Sequence, residues 1–216
     1  MDRNKPDSES ELQELLLRAG QGDATVLGEL FSRFRDRLQL LVRLRFDRRL
    51  QGKFDFSDVL QDVYMEAAQR FNDYLQKPDL PLYLWLRFLT LQRLLILHRR
   101  HAGTRMRDIA REVSLYQGAM PEASSAALAA RLLGHRTTPS QAAMRAEMQI
   151  RLQDALNSLD ATDREVIALR HFEELNNSEA ARVLGLSESG ASRRYTKAIL
   201  KLKDLLVSLG LGEKQI

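Results

Sequence analysis

The sequence predicts an all-α protein: two helical domains joined by a partly helical flexible linker, the C-terminal one containing a helix-turn-helix. Three observations carry this. Apolar residues recur every three or four positions through most of the chain, which is the spacing of a helix face and not of a strand. Turn formers are scarce, with 11 Gly and 5 Pro in 216 residues, beside abundant Leu, Ala, Arg, Gln and Glu. The periodic sequence loses its texture between residues 102 and 139, which divides it into two blocks.

In the first block, residues 11–19 place Leu12, Leu15, Leu16 and Ala19 on one side of a short helix. Asp23 after Gly22 reads as the cap of a long amphipathic helix ending near Arg48, with Leu27, Leu30, Phe31, Phe34, Leu38, Leu41 and Leu44 on its apolar face. Ser57 or Asp58 is the expected cap of the next helix, whose apolar face is Val59, Leu60, Val63, Tyr64, Ala67 and Phe71. Pro78 and Pro81 mark a break, and Pro81 suits the first turn of a third helix reaching His101. These three helices can bury one another's faces as a domain over residues 1–101.

Gly103, Pro121, Ser124, Ser125, Gly134 and Pro139 punctuate the linker over residues 102–139, where Met106, Ile109, Val113 and Tyr116 fit one short helix. The second domain, residues 140–216, opens at Ser140. Met144, Met148, Leu152, Ala155 and Leu159 form one face, and Asp160 opens a further helix with Val166, Ile167 and Leu169.

The stretch Glu179–Lys203, EAARVLGLSESGASRRYTKAILKLK, begins like one helix and ends like another. Ser178 can cap a short helix with Ala180, Ala181, Val183 and Leu184. Gly185 can take the left-handed conformation that ends it, and Ser187 caps a second helix through Ala191, Tyr195, Ile199 and Leu202. Small Ala181 permits close approach of the two helices, so the order reads as a helix-turn-helix. Ser189, Ser192, Arg193, Arg194 and Lys197 lie on the exposed side of the second helix, with Lys201 and Lys203 beyond. In a recognition helix the N-terminal residues reach base edges, guanidinium groups suit guanine, and Lys and Ser can hold phosphates. The plainer alternative is an αα-corner with a solvated basic face.

Two further features stand out. Asp58, Gln61 and Asp62 fall on one helical flank opposite the apolar face, where a solvated surface is the simple reading. The tract from Trp85 to Arg111 holds seven arginines, Arg87, Arg93, Arg99, Arg100, Arg105, Arg107 and Arg111, against the single acid Asp108, with Tyr83, Trp85 and Phe88 interleaved at its start. Basic side chains track phosphates and exposed rings stack on unpaired bases; alternatively, the rings belong to the core and the arginines to water.

The remaining composition excludes more than it identifies. A net charge of +4 and a pI of about 9.5 point only weakly to an acidic partner. The absence of cysteine removes disulfides, thiolate metal sites and cysteine nucleophiles. No metal site or cofactor is expected. Glu165, Glu173 and Glu174 read as exposed helix residues, and the four histidines, His98, His101, His135 and His171, form no constellation suited to catalysis. No signal peptide is expected. The apolar run Leu80–Leu97 is interrupted by Arg87, Gln92 and Arg93 and is too short to span a membrane, so a cytoplasmic protein with no membrane insertion is expected.

The runs SDVLQDVYMEAAQRF, LYLWLRFLTLQRLLILHRRH and LNSLDATDREVIALRHFEELNNSEAARVLGLSESGASRRYTKAILKL, in this order and spacing, resemble the bacterial RNA polymerase sigma factors of the small extracytoplasmic-function group in the sigma-70 family. The resemblance implies that Asp58, Gln61 and Asp62 face the coiled coil of the polymerase β′ subunit. It also implies that Tyr74 to Arg100, with Trp85, Arg87, Arg93, Arg99 and Arg100, recognise and open the downstream promoter element. The helix Ser187–Lys203, with Ser187, Ser189, Ser192, Arg193, Arg194 and Lys197, is expected to read the upstream element in a domain that also meets the β flap. An anti-sigma protein joins core polymerase and promoter DNA as a candidate partner. The chain departs from the family pattern at Gln92 and Ile96, where many members carry Asn and Asp. The rival readings are a conventional helix-turn-helix regulator with an N-terminal helical sensing or dimerisation domain, and a helical enzyme.

Overall fold

The computed structural model describes residues 5–23, 25–46, 55–102, 122–133 and 142–208, and every regular element in them is a helix. The first block contains α1 (Lys5–Gly20), α2 (Val26–Arg45), α3 (Phe56–Gln76) and α4 (Leu82–Ala102). Asp23 closes the turn between α1 and α2, accepting from the backbone N–H and hydroxyl of Thr25 at 3.0 and 2.6 Å and pairing with Arg18 at 2.7 Å. Asp55, not Ser57 or Asp58, caps α3. The backbone is still extended at Asp55, whose carboxylate accepts from the Ser57 N–H at 3.1 Å. Asp58 therefore lies within the first turn, where its charge favours the positive end of the helix dipole.

α4 is buried on nearly all sides: Leu82, Tyr83, Leu84, Leu86, Leu89, Leu91, Leu94, Leu95 and Leu97 all lie in the core. A helix apolar all round is either a membrane span or the centre of a soluble core. Here α2 and α3 pack on α4, and among the described residues no helix is long and apolar enough to cross a membrane. Tyr74 closes the α3–α4 connection by donating its hydroxyl to the Leu80 carbonyl at 3.0 Å, and burial pushes its phenol up to about 12.

The second block contains α5 (Ser125–Leu132), α6 (Ala142–Ser158), α7 (Ala161–Ile167), a π-helical turn (Ala168–Phe172), α8 (Asn177–Leu184) and α9 (Glu188–Ser208). α5 falls inside the segment expected to be a linker, yet it packs along α6 with Leu128 and Ala129 fully buried. Its simple Ala-Leu composition suits close helix packing. Ser124, before it, donates its N–H to the Leu44 carbonyl at the end of α2, at 2.8 Å. The candidate helix Met106–Tyr116, Ser140 and His135 lie outside the described residues.

The two blocks meet across a buried cluster of charge. Glu173 follows the π-helical turn, whose wider winding lets its N–H bond the Ala168 carbonyl five residues back at 2.9 Å. Its side chain, fully buried, accepts from Arg45 of α2 and from Arg87 Nε of α4 at 2.7 Å. Arg45 also grips Glu165 of α7 at 2.6 Å. Arg37 donates to the Glu173 carbonyl at 3.0 Å and lies 3.7 Å above the centre of the Tyr83 ring. Glu173 and Glu165 are thus not the exposed residues expected from sequence. A regular helix would leave Glu173 on the outer face, whereas the π turn before it carries Glu173 inward.

Burial alone would raise the Glu173 carboxyl, but the Arg45 and Arg87 charges and their hydrogen bonds override it and hold it well below the ordinary carboxylate range. A carboxyl depressed on folding contributes stability that is complete above its unfolded value, near 4.5, and is lost as pH falls towards its folded one. Removing one partner of such a buried set costs ~3–5 kcal/mol, because it strands the other charges. Urea unfolding followed by circular dichroism should show Glu173→Gln destabilised by that order at pH 7. The difference from the parent should narrow as the pH is lowered below about 4.5.

Candidate nucleic-acid interface

Local chemistry fixes the helix-turn-helix at each end. Asn176, not Ser178, caps α8 in a reciprocal box: the Glu179 N–H donates to Asn176 Oδ1 at 2.9 Å, and the Asn176 N–H donates to Glu179 Oε2 at 2.8 Å. Two oxygens satisfy two amides at once, which a Ser two positions further on cannot do. Gly185 ends α8 in the left-handed region at φ 64°, and the Leu186 N–H returns to the Ala181 carbonyl at 2.9 Å. Ser187 then caps α9, accepting from the Gly190 N–H at 3.1 Å. Asn177 ties the two helices by donating to the Glu188 carbonyl at 2.8 Å. Buried Ala180, Ala181, Ala191 and Ala198 line the helix contacts, where larger side chains would force the helices apart.

α9 presents Ser187, Ser189, Ser192, Arg193 and Lys197 to solvent. Arg194 departs from the expectation of a free cation. Its Nη1 donates to Asp160 at 3.1 Å and to Asp163 at 3.3 Å, and Lys201 reaches Asp163 at 2.7 Å. These six side chains, Asp160, Asp163, Arg193, Arg194, Lys197 and Lys201, line an open cleft of about 460 Å³ between α7 and α9. The backbone N–H groups that Asp160 accepts as the α7 cap hold its carboxyl below the usual range, with Arg194 adding to the effect. The sequence reading missed the two aspartates as partners of this helix. The pair Asp160 and Asp163, three apart at the start of a helix in a block rich in cations, was the available signal.

On the first block Asp58, Gln61 and Asp62 all lie exposed along α3, with Met65 exposed one turn further. Arg93 of α4 pairs with Asp62, which relieves the repulsion expected between the two aspartates. Trp85 is half-buried and stacks on Tyr74 with ring centres 4.7 Å apart, next to Phe71 at 6.3 Å. Arg87 corrects the sequence reading most clearly: it is 6% exposed and engaged with Glu173, so in this arrangement it cannot reach a nucleic acid. It faces inward because α4 is enclosed on the side where the second block docks. Arg99 is partly exposed and Arg100 exposed, near the end of α4. Among the described residues no group of His, Asp or Glu is arranged to hold a metal ion.

A capped helix-turn-helix whose second helix carries a hydroxyl- and cation-bearing outer face defines a DNA-binding protein. Comparison with known proteins sharpens the class. The family model described as sigma-70, region 4, matches residues 155–204. The RNA polymerase sigma factor CnrH of Cupriavidus metallidurans is 31% identical over 153 residues, 70% of this chain and 73% of that protein. A structure of CnrH in complex with the cytosolic domain of CnrY is similar at a TM-score of 0.52 and 25% identity, covering 90% of this chain and 96% of that one. A co-crystal structure of the sigma factor RpoE with the anti-sigma factor NepR from Bartonella quintana gives a TM-score of 0.43 and 16% identity, covering 94% and 98%. The chain belongs to the sigma-70 family of bacterial RNA polymerase sigma factors, in its extracytoplasmic-function group. It is a DNA-binding subunit that joins core RNA polymerase and directs initiation at promoters, and the reading as a conventional regulator is not favoured.

The stacked Trp85 and the solvated Arg100 should respond differently to truncation. Trp85→Ala should cost ~3 kcal/mol by opening a space beside Tyr74 and Phe71, whereas Arg100→Ala should stay within ~0.5 kcal/mol of the parent. Chemical denaturation of both variants measures this directly.

Proposed function

We propose that residues 1–101 bind the core polymerase and engage the downstream promoter element, that residues 140–216 read the upstream element and meet the β flap, and that residues 102–139 connect the two. The observation that carries the proposal is the row Ser189, Ser192, Arg193 and Lys197. It lies exposed on α9 immediately after a turn fixed by two caps and a left-handed glycine. Hydroxyl and guanidinium groups at the start of a docked helix suit base edges and phosphates together. On the first block, the acidic flank Asp58, Gln61 and Asp62 offers a basic polymerase surface two exposed carboxylates on one face of α3.

The downstream contacts fall to Arg99 and Arg100, with Arg93 between them and the acidic flank; Trp85 supports the same helix from its stack on Tyr74. Arg87 is assigned here to holding the two blocks together. The protein acts in the cytoplasm and has no catalysis of its own, the chemistry being that of the polymerase. The complex of CnrH with the cytosolic domain of CnrY supports an anti-sigma protein as a further partner of this chain.

Two experiments test the division of labour. Removing one partner of a desolvated interfacial charge pair costs ~2–5 kcal/mol. Charge reversal of Asp58 and Asp62 to Lys should therefore strongly weaken assembly with core polymerase while the circular dichroism spectrum stays native. Unchanged co-purification of the double variant would remove the acidic flank from the interface.

For promoter opening, Arg99→Ala with Arg100→Ala should reduce permanganate-reactive thymines in the holoenzyme complex while closed-complex binding persists. Equal footprints would place the opening function elsewhere.

A further inference from the structure

Asp163 lies in the first turn of α7 and is 3% exposed, yet its carboxylate meets two cations from a different helix. Its Oδ1 accepts from Arg194 Nη1 at 3.3 Å and its Oδ2 from Lys201 Nζ at 2.7 Å. Asp160, the cap of α7, takes the same Arg194 nitrogen at 3.1 Å. Arg194 and Lys201 are seven residues apart, so they fall on one strip of α9 two turns apart. Arg193 and Lys197, four residues apart, occupy the neighbouring strip and are exposed. The basic side of α9 is therefore two strips with different commitments.

We propose that Asp163 is a positioning residue for promoter reading. It fixes the rotation of α9 about its own axis and withholds Arg194 and Lys201 from the DNA backbone, leaving base preference to Ser189, Ser192, Arg193 and Lys197. The proposal rests on the reading of α9 as the helix that meets the upstream element.

The physical argument has two parts. A phosphate approaching the cleft has to compete with a buried carboxylate, and a cation that left Asp163 would strand that charge out of water. The pairs therefore persist when the helix docks, and these two cations release no counterions from DNA. Two ties separated by two turns also resist rolling of the helix, which a single tie would permit. Rolling by one residue turns a helix through about 100° and would exchange the strip that faces the bases. Loss of Asp163 should thus alter which bases are preferred as well as how strongly DNA is held.

The test uses holoenzyme assembled from core polymerase and the full chain, bound to promoter duplexes with a randomised upstream element at several salt concentrations. Each phosphate contact adds about 0.9 to the slope of log affinity against log salt. Arg193→Ala should flatten base preference at particular upstream positions, which establishes the reading helix. Arg194→Ala and Lys201→Ala, each of which leaves Asp163 one cation partner, should leave the slope within about a third of one contact.

Asp163→Asn keeps the shape and removes the charge. It should steepen the slope by about one to two contacts and flatten base preference, and adding Arg194→Ala or Lys201→Ala should take part of that gain away. A purely structural Asp163 would lower the melting temperature and leave the slope unmoved.

If Arg194→Ala or Lys201→Ala in the parent lowers the slope by a whole contact, those cations already hold phosphate and the proposal fails. It fails equally if Asp163→Asn folds, binds and changes neither slope nor preference. If the parent shows no upstream base preference and Arg193→Ala changes nothing, the reading of α9 fails, and the proposal with it.

Discussion

The buried set formed by Arg45, Arg87, Glu165 and Glu173 is the constraint on which the rest of the molecule depends. It balances two positive charges with two negative ones, drawn from α2, α4, α7 and the turn before α8. Arg45, Arg87 and Glu173 are buried and Glu165 is only partly exposed, so their mutual attraction acts at short range and low screening, and each buried charge becomes a liability if its partners leave. Burial weakens the charge of an isolated guanidinium. Here Glu165 and Glu173 more than offset that for Arg45, and its pKa rises above the ordinary arginine value. Clusters of this kind give little net stability relative to an apolar seam; what these four groups add is a set of directional ties between α2, α4, α7 and the turn before α8.

Those ties bear on which surfaces remain available. The supporting helix of the helix-turn-helix leans on the first block, where Ala180 joins the core of α2, α3 and α4 and Val183 packs against it. The other helix, α9, is anchored to the second core through Ala198 and Leu202. The turn at Gly185 thus sits where the two cores meet, and its geometry holds the outer face of α9 clear of both. At its C-terminal end α2 also enters the second core, with Leu44 buried in it and Leu40 packed against it, while its other buried apolar residues serve the first. A single long helix therefore carries the packing of both blocks, and α5 closes over its end.

Most helices were legible in the sequence because they have a clear period and a chemical boundary; α5, a short Ala-rich run inside the expected linker, was not. Leu27 to Leu44, Val59 to Phe71, the cap at Asp160 and the stop at Gly185 are local signals, and local signals survive folding. Cap identity was less legible at Asp55 and Asn176, since several adjacent polar residues can serve and only the backbone angle at entry decides among them. Glu173 was not legible at all. Its inward turn depends on a π-helical winding that no periodicity announces, and on arginines 86 and 128 residues away. The same applies to Arg87, which looked like one member of a basic tract until its neighbour in space, rather than in sequence, was in view. Among the candidate site residues, Asp58, Gln61, Asp62, Ser189, Ser192, Arg193 and Lys197 lie exposed on helix faces as the sequence predicts, whereas Arg87 and Arg194 are engaged by buried carboxylates from distant elements.

Burial also separates the charges that can change partners from those that cannot. The Arg93–Asp62 pair joins the acidic flank of α3 to the basic ridge of α4 while both side chains retain contact with water. Exposed pairs of this kind contribute only ~0.2–1 kcal/mol, so a competing cation or phosphate displaces either member at small cost. The carboxylates of Glu173 and Asp163 are themselves buried, so leaving either without a partner is several times as costly. A charge in this protein is therefore assigned to structure or to recognition less by its residue type than by the depth of the carboxylate it meets. Arg87, Arg194 and Lys201 meet deep ones. Arg93 meets a shallow one, which leaves it held in the free protein and still within reach of a partner.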